Sequence, residues 1–293
     1  MTFRPRRSVL YMPGSNARAI EKARSLPVDG VILDLEDAVA PDAKAQARQQ
    51  VAHAVKAGGF GAREVFIRVN GIDTPWHADD LNAAAHAAPD GILVPKVGTV
   101  GTLERVGQRL LDMKTSLKTR VWAMIETPEA IFNINALAAE AHDSETRLAG
   151  FVMGTNDLAK ETRARLVPGR APMVSWLARC VLAAHGHGID ILDGVYNDLS
   201  DPKGLEAECA QARDMGFDGK TLIHPNQVGP CNAAFSPTLD EVAQARKTIA
   251  AFDLPENQDK GVVQIDGRMV ERMHAEMARR TVEIADAIEK APA

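Results

Sequence analysis

Acidic side chains follow several short apolar runs in this sequence, and their types and positions suggest metal chemistry. They are Asp34, Glu36, Asp37, Glu126 and Asp157. Several carboxylates at one place repel each other unless a cation lies among them. Oxygen donors without a cysteine and histidine cluster suit Mg²⁺ or Mn²⁺ better than zinc. The pattern predicts such a cation held by two direct carboxylates, with the other acidic groups behind them.

Some of these residues also have a purely structural interpretation. Glu126 or Asp157 would then cap the helix that follows its strand, since aspartate is a common N-cap residue. Arg68 poses a similar choice. Its guanidinium suits a two-point grip on a substrate carboxylate, or it forms an internal salt bridge to Asp34 or Glu36. The residue types alone leave both choices open.

Two lysines and a histidine pair offer different chemistry. Lys96 closes one apolar run and Lys220 lies in another, and a desolvated lysine in a barrel can form a Schiff base with a carbonyl substrate. His185 and His187 precede their run and are interpreted as structural. A Schiff-base aldolase is therefore an alternative to a metal enzyme. Sensitivity to EDTA or trapping by borohydride would separate the two.

Eight apolar runs, each followed by a helix-like segment, would position these side chains. The runs are residues 8–12, 30–35, 64–69, 91–94, 121–125, 148–153, 188–192 and 219–223. Near-continuous hydrophobic runs indicate strands buried on both faces of a parallel sheet. Their alternation with helices predicts an α/β fold, the (β/α)₈ TIM barrel. A doubly wound sheet is less favoured, because residues 12–16 after the first run lack the GxGxxG fingerprint.

Polar residues are concentrated at the ends of these runs and are few at their beginnings. Besides the acidic residues, the ends carry Asn70, Lys96, Asp193 and His224. Charged groups inside buried strands are costly, and the catalytic groups of such barrels lie at the carboxyl ends of strands. The asymmetry therefore predicts an active site at one mouth of the barrel.

Composition narrows the class of partner. The 293 residues carry a net charge of −5 and are 45% hydrophobic, which is typical of a globular protein that binds neither nucleic acid nor an anionic membrane. No apolar run approaches the roughly 18 residues of a membrane span. Three dispersed cysteines argue against a disulfide framework, so a reducing cytoplasm is expected. Basic residues near the N-terminus either meet an anionic ligand or form a solvated face; they are Arg4, Arg6, Arg7, Arg18, Lys22 and Arg24.

A tail follows the eighth run. Ser236, Pro237 and Thr238 begin a helix, residues 255–261 form a linker, and residues 262–270 form a hairpin around the turn at 266–267. A last helix starts near Glu271. We predict a catalytic barrel over residues 1–232 and an extension over residues 233–293. Because the extension has no place in the barrel, it must pack on its own barrel or on a neighbour.

The sequence also contains several longer motifs. They are RSVLYMPGS at residues 7–15, DLEDAV at 34–39, RVNG at 68–71, LVPKV at 93–97, GTNDL at 154–158 and GKTLIHP at 219–225. With them, nearly the whole chain resembles the citrate lyase β-subunit and malyl-CoA lyase family, in the HpcH/HpaI aldolase group. The resemblance implies a Mg²⁺-dependent TIM barrel that acts on an acyl-CoA thioester, and it makes the Schiff-base alternative less favoured.

The resemblance also implies roles for individual residues. Glu126 and Asp157 match the family's two Mg²⁺ ligands, and Arg68 matches the arginine that holds the substrate carboxylate. Glu36 and Asp37 match the acidic groups behind the metal. The residues expected to bind the substrate and its CoA arm are Arg68, Pro13, Gly14, Ser15, Arg18, Lys22, Lys96, His224 and Pro225.

The family's tail lies over a neighbouring subunit's active site and supplies a catalytic aspartate from a G-[KR]-x-V-D motif. Here residues 267–271 are GRMVE, so Glu271 stands in place of the aspartate. This feature, with the segments at residues 153–161 and 213–225, resembles the (3S)-malyl-CoA thioesterase branch. We expect a homo-oligomer, a trimer or hexamer, that hydrolyses a malyl-CoA-like thioester. A C–C lyase and the β subunit of a citrate lyase complex are the alternatives.

Overall fold

The computed structural model describes residues 4–290. Eight parallel strands pair in sequence order and close into a barrel, because β8 also pairs with β1. The strands are β1 (Ser8–Pro13), β2 (Gly30–Asp34), β3 (Glu64–Arg68), β4 (Gly91–Val94), β5 (Arg120–Ile125), β6 (Leu148–Met153), β7 (Asp190–Asp193) and β8 (Gly219–Leu222). The predicted (β/α)₈ fold is confirmed, with strand boundaries that differ from the prediction by about two residues or fewer.

Helices follow the strands along the chain. They are α1 (Ala17–Ala23), α2 (Lys44–Ala57), α3 (His77–Ala87), α4 (Val100–Asp112), α5 (Pro128–Ala139), α6 (Thr155–Thr162), α7 (Val174–Gly186), α8 (Pro202–Met215) and α9 (Val228–Phe235). Among residues 4–290, no helix is both long and apolar enough to cross a lipid bilayer.

Successive residues of each strand point to opposite sides, so the apolar runs build two cores. The large outer core lies between strands and helices and includes Leu10, Leu33 and Ile67. The small inner core fills the barrel and consists of Val9, Ile32, Phe66, Leu93, Trp122, Met124, Val152 and Leu192, with Tyr11 packed against it. The runs are hydrophobic on both faces because both faces of every strand are covered.

Ion pairs lie at the amino-terminal ends of the barrel strands. Arg6 pairs with Glu64 at 2.5 Å, and its guanidinium lies 5.1 Å from the centre of the Trp122 ring. Arg7 pairs with Asp29 at 2.7 Å. These two arginines are therefore structural, and the basic cluster predicted near the N-terminus does not act as one ligand-binding surface.

The tail forms a second unit, which begins at Ser236. It contains α10 (Leu239–Asp253), β9 (Val262–Ile265), β10 (Arg268–Glu271) and α11 (Arg272–Lys290). Thr238 and Glu241 form a capping box at the start of α10. Asp266 and Gly267 both have positive φ angles, 51° and 77°, as a tight hairpin turn requires. The predicted helix–hairpin–helix order is confirmed, although Glu271 ends β10 instead of starting the last helix.

The barrel unit extends slightly further than the predicted boundary at residue 232. Helix α9 continues to Phe235, and the barrel unit is Arg6–Phe235. Phe252, Val263, Ile265 and Ala275 form a separate small core within the tail. Each unit therefore buries apolar residues of its own.

Candidate active site

Glu126 lies directly after β5, at the carboxyl ends of the strands, which we call the barrel mouth. Its side chain is buried. The backbone N–H of Lys96 donates to its Oε1 at 2.7 Å, whereas its Oε2 has no hydrogen-bond partner among residues 4–290. Burial, reinforced by the nearby Glu36 carboxylate, raises the pKa of Glu126 to about 7. A buried carboxylate oxygen without a partner is costly, so this atom is well placed to bind a ligand.

Asp157 lies in the first turn of α6, close enough for its charge to contribute to the raised pKa of Glu126. Its carboxylate makes no hydrogen bond or ion pair within the described part of the chain. The capping alternative is wrong for both acids. The N-cap of α6 is Gly154, and the N-cap of α5 is Thr127, whose hydroxyl accepts from Ala130 N–H at 3.1 Å.

Gly154 leaves the space that this carboxylate pair needs. A Cβ atom at Gly154 would lie 2.4 Å from Oε2 of Glu126, so any side chain there would displace the carboxylate. The donors fit Mg²⁺, which accepts two carboxylates and completes its octahedral shell with water and substrate oxygens. No set of three or more His, Cys, Asp or Glu side chains within residues 4–290 forms a preassembled metal cage. An open site of this kind keeps positions for a substrate.

We expect Mg²⁺ affinity to depend on pH through Glu126. Its pKa of about 7 means that the carboxyl group is increasingly protonated below pH 7, and Mg²⁺ must displace that proton. The apparent affinity should therefore fall about tenfold per pH unit below pH 7 and level off above it. Titration calorimetry with Mg²⁺ across this range measures the effect. An affinity that is unchanged down to about pH 5.5 would contradict it.

Arg68 ends β3 beside Asp34, its register partner on β2. Its Nε and Nη2 atoms each donate to the Asp34 carboxylate at 2.7 Å, and Nη1 lies 2.9 Å from Oε2 of Glu36. The internal ion pair that the sequence left open is thus present. Burial alone would raise the pKa of Asp34, but Arg68 outweighs it and keeps that pKa below its usual value. Since Asp34 holds Nε and Nη2, a ligand can contact only Nη1, beside Glu36.

The other predicted acidic residues surround this arginine. Asp37 is exposed, and its Oδ2 lies 3.6 Å from Nη1 of Arg68. Glu36 also accepts from Nζ of Lys96 at 2.8 Å. Burial nevertheless leaves the pKa of Glu36 raised. Glu36 therefore lies between Arg68 and Lys96, where its charge also acts on Glu126.

Neither lysine suits Schiff-base chemistry. Burial lowers the pKa of Lys96, but the ion pair with Glu36 outweighs this effect and raises it. Lys220 is fully buried, and its Nζ atom lies 2.8 Å from Asp193 and 2.7 Å from Glu208. Burial opposes its charge too, yet these carboxylates raise its pKa. Both amines stay protonated, whereas a Schiff base forms from the neutral amine.

The residues expected to bind the CoA arm lie on neighbouring parts of the barrel mouth. Pro13 ends β1, and His224 and Pro225 follow β8, its pairing partner. A Cβ atom at Gly14 would lie 2.5 Å from the Asp34 carbonyl oxygen, so only glycine fits there. The exposed side chains of this group are Ser15, Arg18 and Lys22, the last two on α1. His224 also has a local role, because its Nδ1 accepts from Asn226 N–H at 3.2 Å.

Glu271 belongs to the other unit. It is exposed at the end of β10, and its backbone N–H donates to Nδ1 of His274 at 3.0 Å.

Two residues near the barrel acids were not predicted. Lys44 donates to the carbonyl oxygens of Leu35 and Glu36 at 2.8 and 2.7 Å, which orders the acidic loop. Tyr11 lies under the Arg68 guanidinium, and its inward position in β1 was the available signal.

A comparison with protein families matches residues 7–225 to the HpcH/HpaI aldolase/citrate lyase family. The chain belongs to this family. It is 48% identical over 284 residues to a (3S)-malyl-CoA thioesterase of Cereibacter sphaeroides strain KD131, covering 97% of this chain and 96% of the relative. It is 32% identical over 290 residues to the citrate lyase β subunit of Escherichia coli K12, covering 97% and 94%. Both of these relatives are enzymes.

Solved structures support the same assignment. The CitE protein of Mycobacterium tuberculosis, determined in complex with magnesium, acetoacetate and coenzyme A, matches with a TM-score of 0.77 at 26% identity, covering 96% of this chain and 98% of that one. A citrate lyase from Burkholderia xenovorans matches with a TM-score of 0.84 at 19% identity, covering 99% and 94%. The second match shows the fold alone.

Proposed function

We propose that this HpcH/HpaI family member is a Mg²⁺-dependent enzyme that hydrolyses a carboxylate-bearing 3-hydroxyacyl-CoA thioester, such as malyl-CoA, to CoA and the hydroxy acid. The observation that carries the proposal is the unpartnered Oε2 of buried Glu126, beside Asp157 and at the same mouth as Arg68. The 48% identity to a (3S)-malyl-CoA thioesterase supports the choice of substrate.

In this proposal Glu126 and Asp157 hold Mg²⁺ or Mn²⁺, since both cations favour oxygen donors. When bound, the cation supplies Lewis acidity to the substrate oxygens that it contacts. Glu36 and Asp37 keep Arg68 in place, and Arg68 orients the substrate carboxylate. The exposed Ser15, Arg18 and Lys22 would contact the CoA arm, including its phosphates.

We further propose that Glu271 comes from a neighbouring copy of the chain and acts as general base. A glutamate carboxylate projects roughly 1.3 Å further than that of aspartate, about one foreshortened C–C bond. A displacement of this order can cost about a hundredfold in a tuned proton transfer from carbon. The longer side chain instead suits a general base that holds a water molecule against the thioester carbonyl.

The test is incubation of malyl-CoA with the enzyme and Mg²⁺, measuring free thiol and trapped glyoxylate in the same sample. We expect thiol release without glyoxylate. Glu271→Gln should suppress thiol release, and Glu271→Asp should shift the product ratio towards glyoxylate. Stoichiometric glyoxylate with background thiol would instead identify a C–C lyase. Activity only with a partner subunit would identify a citrate lyase component.

A base supplied by a neighbouring subunit requires a homo-oligomer, and we propose a trimer or hexamer. Light scattering at the assay concentration should give a multiple of the 31.6 kDa chain mass. A fully active monomer would contradict this arrangement.

The cytoplasm is the proposed location, since all three cysteines are buried and free and disulfides are rare there. Neither nucleic acid nor a membrane is a proposed partner.

A further inference from the structure

Tyr11 is a polar residue of the inner barrel for which the proposed function has no role. It lies on the inward side of β1, and the Arg68 guanidinium lies 4.9 Å from the centre of its ring. It remains partly exposed, whereas the inner-core residues that it packs against are buried. Tyr11 therefore borders open space at the barrel mouth, directly beside Arg68.

The Tyr11 hydroxyl group lacks a strong acceptor. Within the described part of the chain its only partner is Sδ of Met124, 4.0 Å away, and a thioether is a weak acceptor. Tyrosine hydroxyls in protein interiors usually have a hydrogen-bond partner. Burial raises the pKa of Tyr11 well above its usual value, so the phenol keeps its proton and is available as a donor.

Arg68 directs one hydrogen of its remaining nitrogen to the same sulfur atom. Its Nε and Nη2 atoms are held by Asp34, and its Nη1 atom donates to Sδ of Met124 at 3.7 Å. The same Nη1 atom lies 2.9 Å from Oε2 of Glu36, but that ion pair lacks the geometry of a hydrogen bond. Two donors from different strands, one of them charged, thus converge on one weak acceptor. An oxygen anion beside Met124 would satisfy both donors better than the sulfur does.

We propose that the Tyr11 hydroxyl and Arg68 Nη1 together bind a carboxylate of the substrate. The inference rests on the proposed function, because it assigns the residue that completes the substrate-carboxylate site. It replaces a two-point grip by Arg68 alone, since Asp34 already occupies two of the guanidinium donors. The ring of Tyr11 supports Arg68 from below, and its hydroxyl supplies the second hydrogen bond.

The chain contains two tyrosines, Tyr11 and Tyr196, which gives a direct test. Protein labelled with ¹³C at tyrosine Cζ should show two resonances. Titration with oxaloacetate in the presence of Mg²⁺ should shift the Tyr11 resonance and leave that of Tyr196 unchanged. Tyr196 is a matched control because its hydroxyl already donates to Asp201 at 2.8 Å. A Tyr11 resonance that does not move at saturation would overturn the proposal.

Substitutions separate the hydroxyl from the ring. Tyr11→Phe keeps the ring beneath Arg68 and should weaken oxaloacetate binding about tenfold to a hundredfold, as expected for a hydrogen bond to a charged group. Tyr196→Phe should bind like the wild type. If Tyr11→Phe also binds normally, the hydroxyl has no such role, even if Tyr11→Leu binds weakly.

Two separate measurements distinguish failure of the proposed function from failure of the Tyr11 proposal. If the proposed function is wrong, malyl-CoA releases no thiol. The Tyr11 proposal is tested by oxaloacetate binding, which requires no turnover. Where the enzyme does turn over malyl-CoA, Tyr11→Phe should raise KM and change kcat little. The same substitution should not affect a 3-hydroxybutyryl-CoA ester, which lacks the carboxylate. An equal loss with both esters would indicate a general structural defect and overturn the assignment.

Discussion

Replacing Glu126 with glutamine is expected to weaken Mg²⁺ binding by more than about a hundredfold, because even residues behind metal ligands commonly cost ten- to a hundredfold when changed. Asp157→Asn should have a similar effect. Turnover at a fixed, low Mg²⁺ concentration should fall by at least the same factor. Titration calorimetry and initial rates at increasing Mg²⁺ measure the two quantities.

The fold should tolerate the substitution at position 126. The glutamine Oε1 can still accept the Lys96 N–H, and a neutral amide avoids the cost of burying a charge, the same cost that raises the pKa of Glu126. We therefore expect an unchanged or slightly higher Tm. Glu206→Gln is the matched control, since Glu206 is exposed on α8. Normal turnover of Glu126→Gln at ordinary Mg²⁺ concentrations would show that the metal is bound elsewhere.

Arg68→Lys is expected to raise KM for a carboxylate-bearing substrate about tenfold to a hundredfold, the usual value of a hydrogen bond to a charged group. Lysine keeps the positive charge but cannot bind Asp34 with two atoms and still present a third to the substrate. Arg68→Leu should in addition lower the free energy of unfolding by about 3–5 kcal/mol, because it leaves Asp34 buried without its cation.

Arg170→Lys is the appropriate control for Arg68→Lys. Arg170 also forms a buried pair, with both oxygens of Asp193 at 2.7 and 2.8 Å, and it contacts Glu208 and Gln211 of α8. Both lysine variants should lose stability to a similar extent, as chemical denaturation would show. Only Arg68→Lys should raise KM. Equal KM values in the two variants would assign Arg68 a structural role alone.

The barrel was predictable because its packing requirements determine which residue types occur in its strands and helices. Strands covered on both faces must be largely apolar, and the helices between them must be amphipathic. The mouth was predictable for a related reason, since unpaired charged groups such as Glu126 are costly within a buried strand and are found more readily where the strand ends.

What the sequence did not reveal is how the charges are shared among neighbours. Arg68 was compatible with a substrate or with an ion pair, and only the register of β2 and β3 places it against Asp34. By residue type Lys220 was a candidate nucleophile, but in the structure it is paired with Asp193 and Glu208. Such partners are distant in sequence, and residue type contains no information about distance. The position of Glu271 relative to a barrel remains a prediction for the same reason.

The contact between Lys96 and Glu126 runs through a peptide group. Lys96 has a φ angle of +54°, a conformation that glycine adopts freely and that β-branched residues adopt only with strain. For this contact, the residue types that fit at position 96 are limited by backbone shape and not by side-chain chemistry. Glycine or asparagine at position 96 would preserve the backbone contact that orients Glu126, whereas valine or isoleucine would disturb it, even though the side chain of residue 96 takes no part in that contact.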